Sequence, residues 1–214
     1  MLRIANIRYR AATWIAWLVI AVAVLVLIVS PNAAELAAQG ADQTALIVRL
    51  RVAVADAVTR GGLTAKGDIE RLIADSFDLP GIARTVLGPR ARLATEVQIG
   101  KMAHALDLRL VREFMRQPLL PGADGFQVIE THAAGDAEWQ VVTRSRSRGA
   151  APSMVTWQVR AMPVGPRIID VVRDGVSAVT TLRADVAAAS RTKDLDAVIA
   201  EIERRAECAA ECPR

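Results

Sequence analysis

The sequence predicts an α+β domain: an antiparallel four-stranded sheet packed by several helices that enclose an apolar pocket. Three observations predict it. Apolar residues recur at helical spacing from Ala45 to about Gln117, then alternate from Gly125 to Arg173, then return to helical spacing from Ser177 to about Glu207. The alternating segments are joined by short connections that suit consecutive hairpins. Helices, then a meander of strands, then helices is the order expected when helices cover one face of an antiparallel sheet.

The chain begins with a segment of a different kind. Residues 12–29, ATWIAWLVIAVAVLVLIV, carry no charge, and Arg3, Arg8 and Arg10 precede them. Ser30, Pro31, Asn32, Ala33 and Ala34 follow. A basic flank, an apolar run and small residues are the layout of an export signal. The run is also just long enough to span a bilayer, which takes ~20 residues. Residues 1–34 therefore read as a signal peptide, cut after Ala34 or after Gly40, or as an uncleaved anchor, and either outcome places the domain outside the cytoplasm. Residues 35–44, ELAAQGADQT, read as a short linker.

The folded domain is expected over residues 45–207. Leu46, Leu50, Val54 and Val58 mark the buried stripe of a first helix that Gly61 and Gly62 stop. A second helix is expected over Asp68–Phe77. A third runs from Leu79 to Leu87, capped by Asp78, with Pro80 in its first turn and Gly88-Pro89 at its end. Thr95 opens a longer helix, since Thr95 and Gln98 fit a capping box. Ile99, Met102, Leu106, Leu110 and Phe114 form its stripe. Strands follow over Gly125–His132, Glu138–Arg144, Ser153–Ala161 and Pro166–Arg173. Val155, Trp157 and Val159 alternate with Thr156, Gln158 and Arg160, so this strand has one apolar and one polar face. Helices over Ser177–Ser190 and Asp194–Glu207 close the domain. Residues 208–214 form a tail, in which Cys208 and Cys212 stand four apart. Export would permit a disulfide between them, although that spacing fits a regular helix poorly.

Charge excludes one class of partner. Of the 27 Lys and Arg, three precede the apolar run and no acid does, which leaves 24 bases against 23 acids. A nearly neutral domain lacks the basic field that nucleic-acid binding needs. Arg144, Arg146 and Arg148, in RSRSRG, form a local basic cluster, read as a solvated loop or as a contact for anionic head groups. Chemistry is sparse. No GxSxG, GxGxxG, phosphate loop or HExxH occurs, and no metal or cofactor is implied. His132 and Glu130 share a strand face, where two solvated polar residues are the simpler account than a catalytic pair. Asp170 falls among Ile168 and Val172, and a carboxylate there needs a partner. A helix end or Arg84 would supply one; an acid–base role in a closed pocket is the alternative. Gly175 most simply supplies a turn with positive φ.

Two stretches carry a resemblance. FDLPGIARTVLG, Phe77 to Gly88, precedes the long helix TEVQIGKMAHALDLRLVREFMR, and IIDVVRDGVSAVTTLRADVAAASRTKDLDAVIAEIERR runs from Ile168 to Arg205. With the strands between them they resemble the MlaC, or toluene-tolerance, family of periplasmic phospholipid-binding proteins. Asp170 to Ser177, D-x-x-x-D-G-V-S, is the most specific part. The resemblance implies a non-catalytic carrier of phospholipid, or of a hopanoid-type lipid as in one branch of the family. It also implies partners: an inner-membrane ABC transport complex and an outer-membrane lipid complex. The sequence departs from the family where an aromatic is usual: Leu182 and Val186 stand after Gly-Val-Ser, and Pro89-Arg90-Ala91-Arg92 follows Leu-Gly.

A carrier needs an apolar cavity rather than reactive groups, because each buried CH₂ is worth ~0.8 kcal/mol. The residues whose apolar faces should meet between helices and sheet are Phe77, Ile82, Val86, Leu106, Leu110, Phe114, Val155, Trp157, Val159, Ile169 and Val171. Each would serve equally well as ordinary core. Two other readings stand beside the carrier: an enzyme with Asp170 as base, and an anchored envelope interaction module with a filled core and an exposed apolar patch.

Overall fold

The computed structural model describes residues 33–116, 125–146 and 152–207. The apolar run 12–29, Arg148, and Cys208 and Cys212 lie outside them. Helix α1 spans Ala33–Arg60, α2 Gly62–Ser76, α3 Leu79–Leu87 and α4 Glu96–Arg116, with a 3₁₀ turn over Gly88–Arg92 between the last two. Strands β1 Phe126–Ala133, β2 Glu138–Ser145, β3 Ser153–Arg160, β4 Arg167–Arg173 and β5 Val176–Ser177 follow, then α5 Ala178–Ala189 and α6 Leu195–Glu207. The strands pair antiparallel in sequence order, so the sheet is a meander of five strands, not the four expected. The fifth is a two-residue return that pairs with Val172 and Arg173 before α5 begins. Such a strand is too short for an alternation to betray it.

The segment read as a linker, residues 35–44, is helical and part of α1. Its Ala, Glu, Leu and Gln are strong helix formers, and they outweigh one glycine. The folded unit begins at Gly40. A Cβ at Gly40 would stand 3.1 Å from the Trp139 ring, so the glycine lets α1 lie close against β2. Thr44 and Thr131 share a 2.7 Å hydroxyl–hydroxyl hydrogen bond, and the Arg51 guanidinium sits 4.9 Å from the Phe126 ring centroid. These contacts fix α1 to the first two strands.

The helices end where local chemistry tells them to. The Asp78 carboxylate accepts from the Gly81 N–H at 3.0 Å, and Gly88 closes α3 with φ 59°. Thr95 and Gln98 cap each other as the sequence implies: Gln98 Oε1 accepts the Thr95 N–H at 3.0 Å, and Thr95 Oγ1 accepts the Gln98 N–H at 3.2 Å. Helix α2 starts six residues earlier than expected, at Gly62. Phe77 has left that helix and bridges to Ile168 of β4.

The core lies between one face of the sheet and the helices. Trp139, Val141, Val155, Trp157, Val159, Ile168 and Val171 supply the sheet side. Ile47, Leu50, Val54, Ile69, Ile73, Met102, Phe114 and Ile199 meet them from the helices, all at most 2 % exposed. One polar group is buried on the sheet face for a reason. Thr143 Oγ1 accepts the Trp157 indole N–H at 3.0 Å and donates to the Val155 carbonyl at 3.0 Å, which satisfies the ring's only donor.

A bulge resets the register of β4. Val159 pairs with Ile168 but Gln158 pairs with Asp170, so Ile169 is the extra residue. Ile168 and Val171, not Ile169 and Val171, therefore share the core face. Ile169, expected among the pocket residues, is turned off that face by the bulge and is only half-buried.

Candidate functional site

Helices α4 and α5 are separated along their length, and the gap between them is an apolar cleft. Its walls are Ile82 and Val86 of α3, Leu106, Arg109 and Leu110 of α4, and Ala178, Val179 and Leu182 of α5. Phe77, Leu79, Asp170 and Val171 complete one end. The cleft is narrow: its cavity volume is about 70 Å³. The first turn of α5 contributes small side chains where it faces the cleft, which leaves the room.

Six of the eleven expected pocket residues line this cleft: Phe77, Ile82, Val86, Leu106, Leu110 and Val171. Phe114 does not. It is fully buried and packs edge-on against Phe77, with ring centroids 6.3 Å apart at 74°. Val155, Trp157 and Val159 are also fully buried and fill the core under the sheet. Sequence reading missed Leu79, Arg109, Ala178, Val179 and Leu182 as lining. For two of them a signal existed, because Val179 and Leu182 repeat with Val186 at the spacing of one helix face.

Leu182 and Arg109 also line a second cleft, of about 70 Å³, between α4, α5 and α6. Here the lining is mixed: Val186, Val198 and Ile202 beside Arg112, Asp185, Glu201 and Arg205. Glu201 pairs with Lys193 and Arg205. The Lys193 hydrogen bond, helped by the Arg205 charge, holds its carboxyl below the usual range against the opposing effect of burial. Arg109 stands where the two clefts meet, exposed, and makes no ion pair among the described residues.

Asp170 is committed to holding this wall in place. Its Oδ1 accepts the Val171 N–H at 2.7 Å and the Val179 N–H at 3.1 Å, and its Oδ2 accepts the Ser177 hydroxyl at 2.5 Å. Ser177 Oγ in turn accepts the Thr180 N–H at 2.9 Å and caps α5. The carboxylate thus ties β4 to the N-terminus of the helix that forms the cleft wall, where the helix dipole favours negative charge. Of the two partners expected for it, the helix end is the actual one. Arg84 binds both oxygens of Glu96 instead, at 2.9 and 3.2 Å. Gly175 turns the chain between β4 and β5 with φ 84°, and Asp174 beside it has φ 48°. His132 Nδ1 lies 3.7 Å from Glu130 Oε1, both exposed on β1, as two solvated residues should be. Among the described residues no cluster of three His, Cys, Asp or Glu could hold a metal, and no helix is long and apolar enough to cross a membrane.

This architecture has a solved counterpart. A phospholipid-binding protein from Ralstonia solanacearum, determined in complex with a phospholipid, superimposes with a TM-score of 0.67. The match covers 80 % of this chain and 98 % of that one at 16 % identity, so the two share the fold. No curated protein sequence matches the chain. The model of the MlaC protein family matches residues 56–204, more than two thirds of the 214 residues and the whole span from the end of α1 to α6. The chain belongs to the MlaC family.

Proposed function

We propose that the chain is a non-catalytic lipid carrier of the cell envelope, which holds the acyl part of a phospholipid in the cleft between α3, α4, β4 and α5. The observation that carries this reading is the cleft itself. Its walls are apolar apart from Arg109 and Asp170, its one carboxylate is consumed by structural hydrogen bonds, and it opens to solvent. Such a site offers hydrocarbon a place to leave water and offers a substrate no nucleophile or acid–base pair. Each methylene that leaves water there contributes ~0.8 kcal/mol before the entropy of ordering the chain is counted, so hydrocarbon itself supplies the binding energy.

Family membership and the phospholipid held by the Ralstonia protein support the ligand class. A hopanoid-type lipid is the finer alternative, and the shape of the cleft around Leu182 and Val186, where the family usually has an aromatic, would decide it. The carrier would work in the periplasm, taking lipid from or giving it to an inner-membrane ABC transport complex and an outer-membrane lipid complex. Residues 12–29 would direct export, and would tether the carrier if they are retained. Gly40 and Thr44 are packed on the sheet, so residues 40–44 would add no slack to such a tether. The competing interaction module requires a filled core, which the open cleft between α4 and α5 disfavours.

Native mass spectrometry of the chain purified from a bacterial envelope, with organic extraction of the bound material, tests the proposal. One phospholipid or hopanoid per chain is the expected result. A chain that arrives empty, and stays empty after incubation with phospholipid vesicles, overturns the carrier reading.

A further inference from the structure

The outer side of the α3–α5 pair carries a feature that lipid storage does not use. Thr85 and Arg183 are the sequence neighbours of Val86 and Leu182, which line the apolar cleft. They face instead an open depression of about 710 Å³ shared with Arg84, Gly88, Pro89 and Arg92. Arg90 lies beside it on the 3₁₀ turn and donates to the Ser190 carbonyl at 2.6 Å, which fixes the turn to the end of α5. Of the acids nearby, Glu96 is taken by Arg84, and Asp194 caps α6 by accepting the Ala197 N–H at 2.7 Å. Arg90, Arg92 and Arg183 have no acidic partner among the described residues. On a domain whose bases and acids nearly balance, this is a local concentration of positive charge.

Two bare apolar residues follow Arg92 closely in the chain. Leu93, directly after Arg92, is 87 % exposed, and Val97, in the first turn of α4, is 68 % exposed. Water gains nothing from either. Arginines that can reach phosphates around an exposed leucine are the composition of an interfacial membrane contact: the charges hold the surface and the apolar residue enters the acyl boundary.

We propose that the Gly88–Val97 segment, with Arg183, docks the protein on an anionic bilayer surface. The inference stands apart from the lipid reading of the cleft, because it needs no lipid inside. Its consequence is spatial, since docking there brings the outer wall of the cleft to the membrane from which a lipid would come.

The test uses the full chain, with Cys208 and Cys212 replaced by serine, and an environment-sensitive fluorophore on Leu93→Cys. A second preparation carries the fluorophore on Val164→Cys, in the β3–β4 loop and 74 % exposed. Vesicles are phosphatidylcholine alone or with one third phosphatidylglycerol. The expected result is a blue shift at position 93 with the anionic vesicles, lost in high salt and absent at position 164. Adding Arg92→Gln and Arg183→Gln should raise the lipid concentration for half-response by roughly 30-fold, from ~1 kcal/mol per arginine. The same pair of substitutions at Arg144 and Arg146 should leave the response unchanged. Equal shifts at 93 and 164 would report insertion of the N-terminal run and overturn the proposal. So would equal responses to both vesicle types, or a silent position 93. Silence with vesicles, combined with a protein adduct from a photo-crosslinker at position 93 in cells, would assign the patch to a protein partner instead.

Discussion

Replacing Asp170 separates a structural carboxylate from a chemical one. Asp170→Ala removes the acceptor for the Val171 and Val179 N–H groups and for the Ser177 hydroxyl, at a site only 8 % exposed. A buried donor left unpaired costs ~1–3 kcal/mol and a lost helix cap ~0.5–2 kcal/mol. Val179 is half-buried and water can replace part of its loss, so a total of about 3–5 kcal/mol is expected. Asp170→Asn retains the oxygen that serves the two amides. Its NH₂ can donate to Ser177 Oγ, whose remaining lone pair still accepts from Thr180, but the hydroxyl proton then loses its acceptor. About 1–2 kcal/mol follows for that one lost bond. Urea unfolding followed through the buried Trp157 and Trp139 measures both variants, and mass spectrometry of the folded Asn variant measures its lipid. The Asn protein should carry lipid at the wild-type stoichiometry. A folded Asn variant that arrives empty would mean that the charge acts on the ligand. An Ala variant costing less than ~1 kcal/mol would refute the capping argument itself.

Other substitutions test the cleft and the core apart. Ala178→Trp adds bulk at the exposed mouth of the cleft, so co-purified lipid should fall sharply while the unfolding midpoint barely moves; unchanged lipid content would place the ligand elsewhere. Phe114→Ala empties a fully buried site behind Phe77 and should cost ~3–5 kcal/mol in urea unfolding. Asp107 provides a pH test. Burial, with the charge of Glu70 added and His104 opposing, raises its carboxyl above the usual range, and its Oδ1 has no hydrogen-bond partner. A raised folded value means that the native state binds the proton more tightly than the unfolded chain, so this group's contribution is present in acid and lost as pH rises through the folded value. Asp107→Asn should therefore raise the melting temperature at neutral pH and lose that advantage in acid, below the ordinary carboxylate range; a variant less stable at neutral pH would contradict the sign.

What was legible in the sequence follows the range of the forces involved. The caps at Asp78, Thr95 and Gln98 act over three residues, and both helices start where those residues say. Strand limits were legible to within a residue or two because alternation and turn chemistry are local. The bulge at Ile169 was not, because register is a property of two strands and only β3 reveals it. Residues 35–44 read as a linker for a related reason. Glycine weakens an isolated helix, and only the Trp139 ring 3.1 Å away explains why one stands there.

The division between cleft and core lies on the same line. Leu106 and Trp157 are both apolar, and both are nearly or fully buried, yet one lines an opening and the other fills the space under the sheet. Nothing in either side chain decides this. The opening exists because Asp170 fixes the start of α5 to β4, while α4 is held on its other side by α6 through Gln98–Asp196 and the Arg112 contact with the Arg205 carbonyl. Two helices anchored to different neighbours leave a gap between them, and small residues at Ala178 and Val179 do not fill it. The cleft is thus a consequence of polar contacts outside it. Loosening α4 from α6 should alter lipid content without touching a single lining methyl group, and an Asp196→Ala variant, which removes the Gln98 partner and leaves the Thr95–Gln98 cap in place, would with unchanged lipid content show that the gap is held by packing alone.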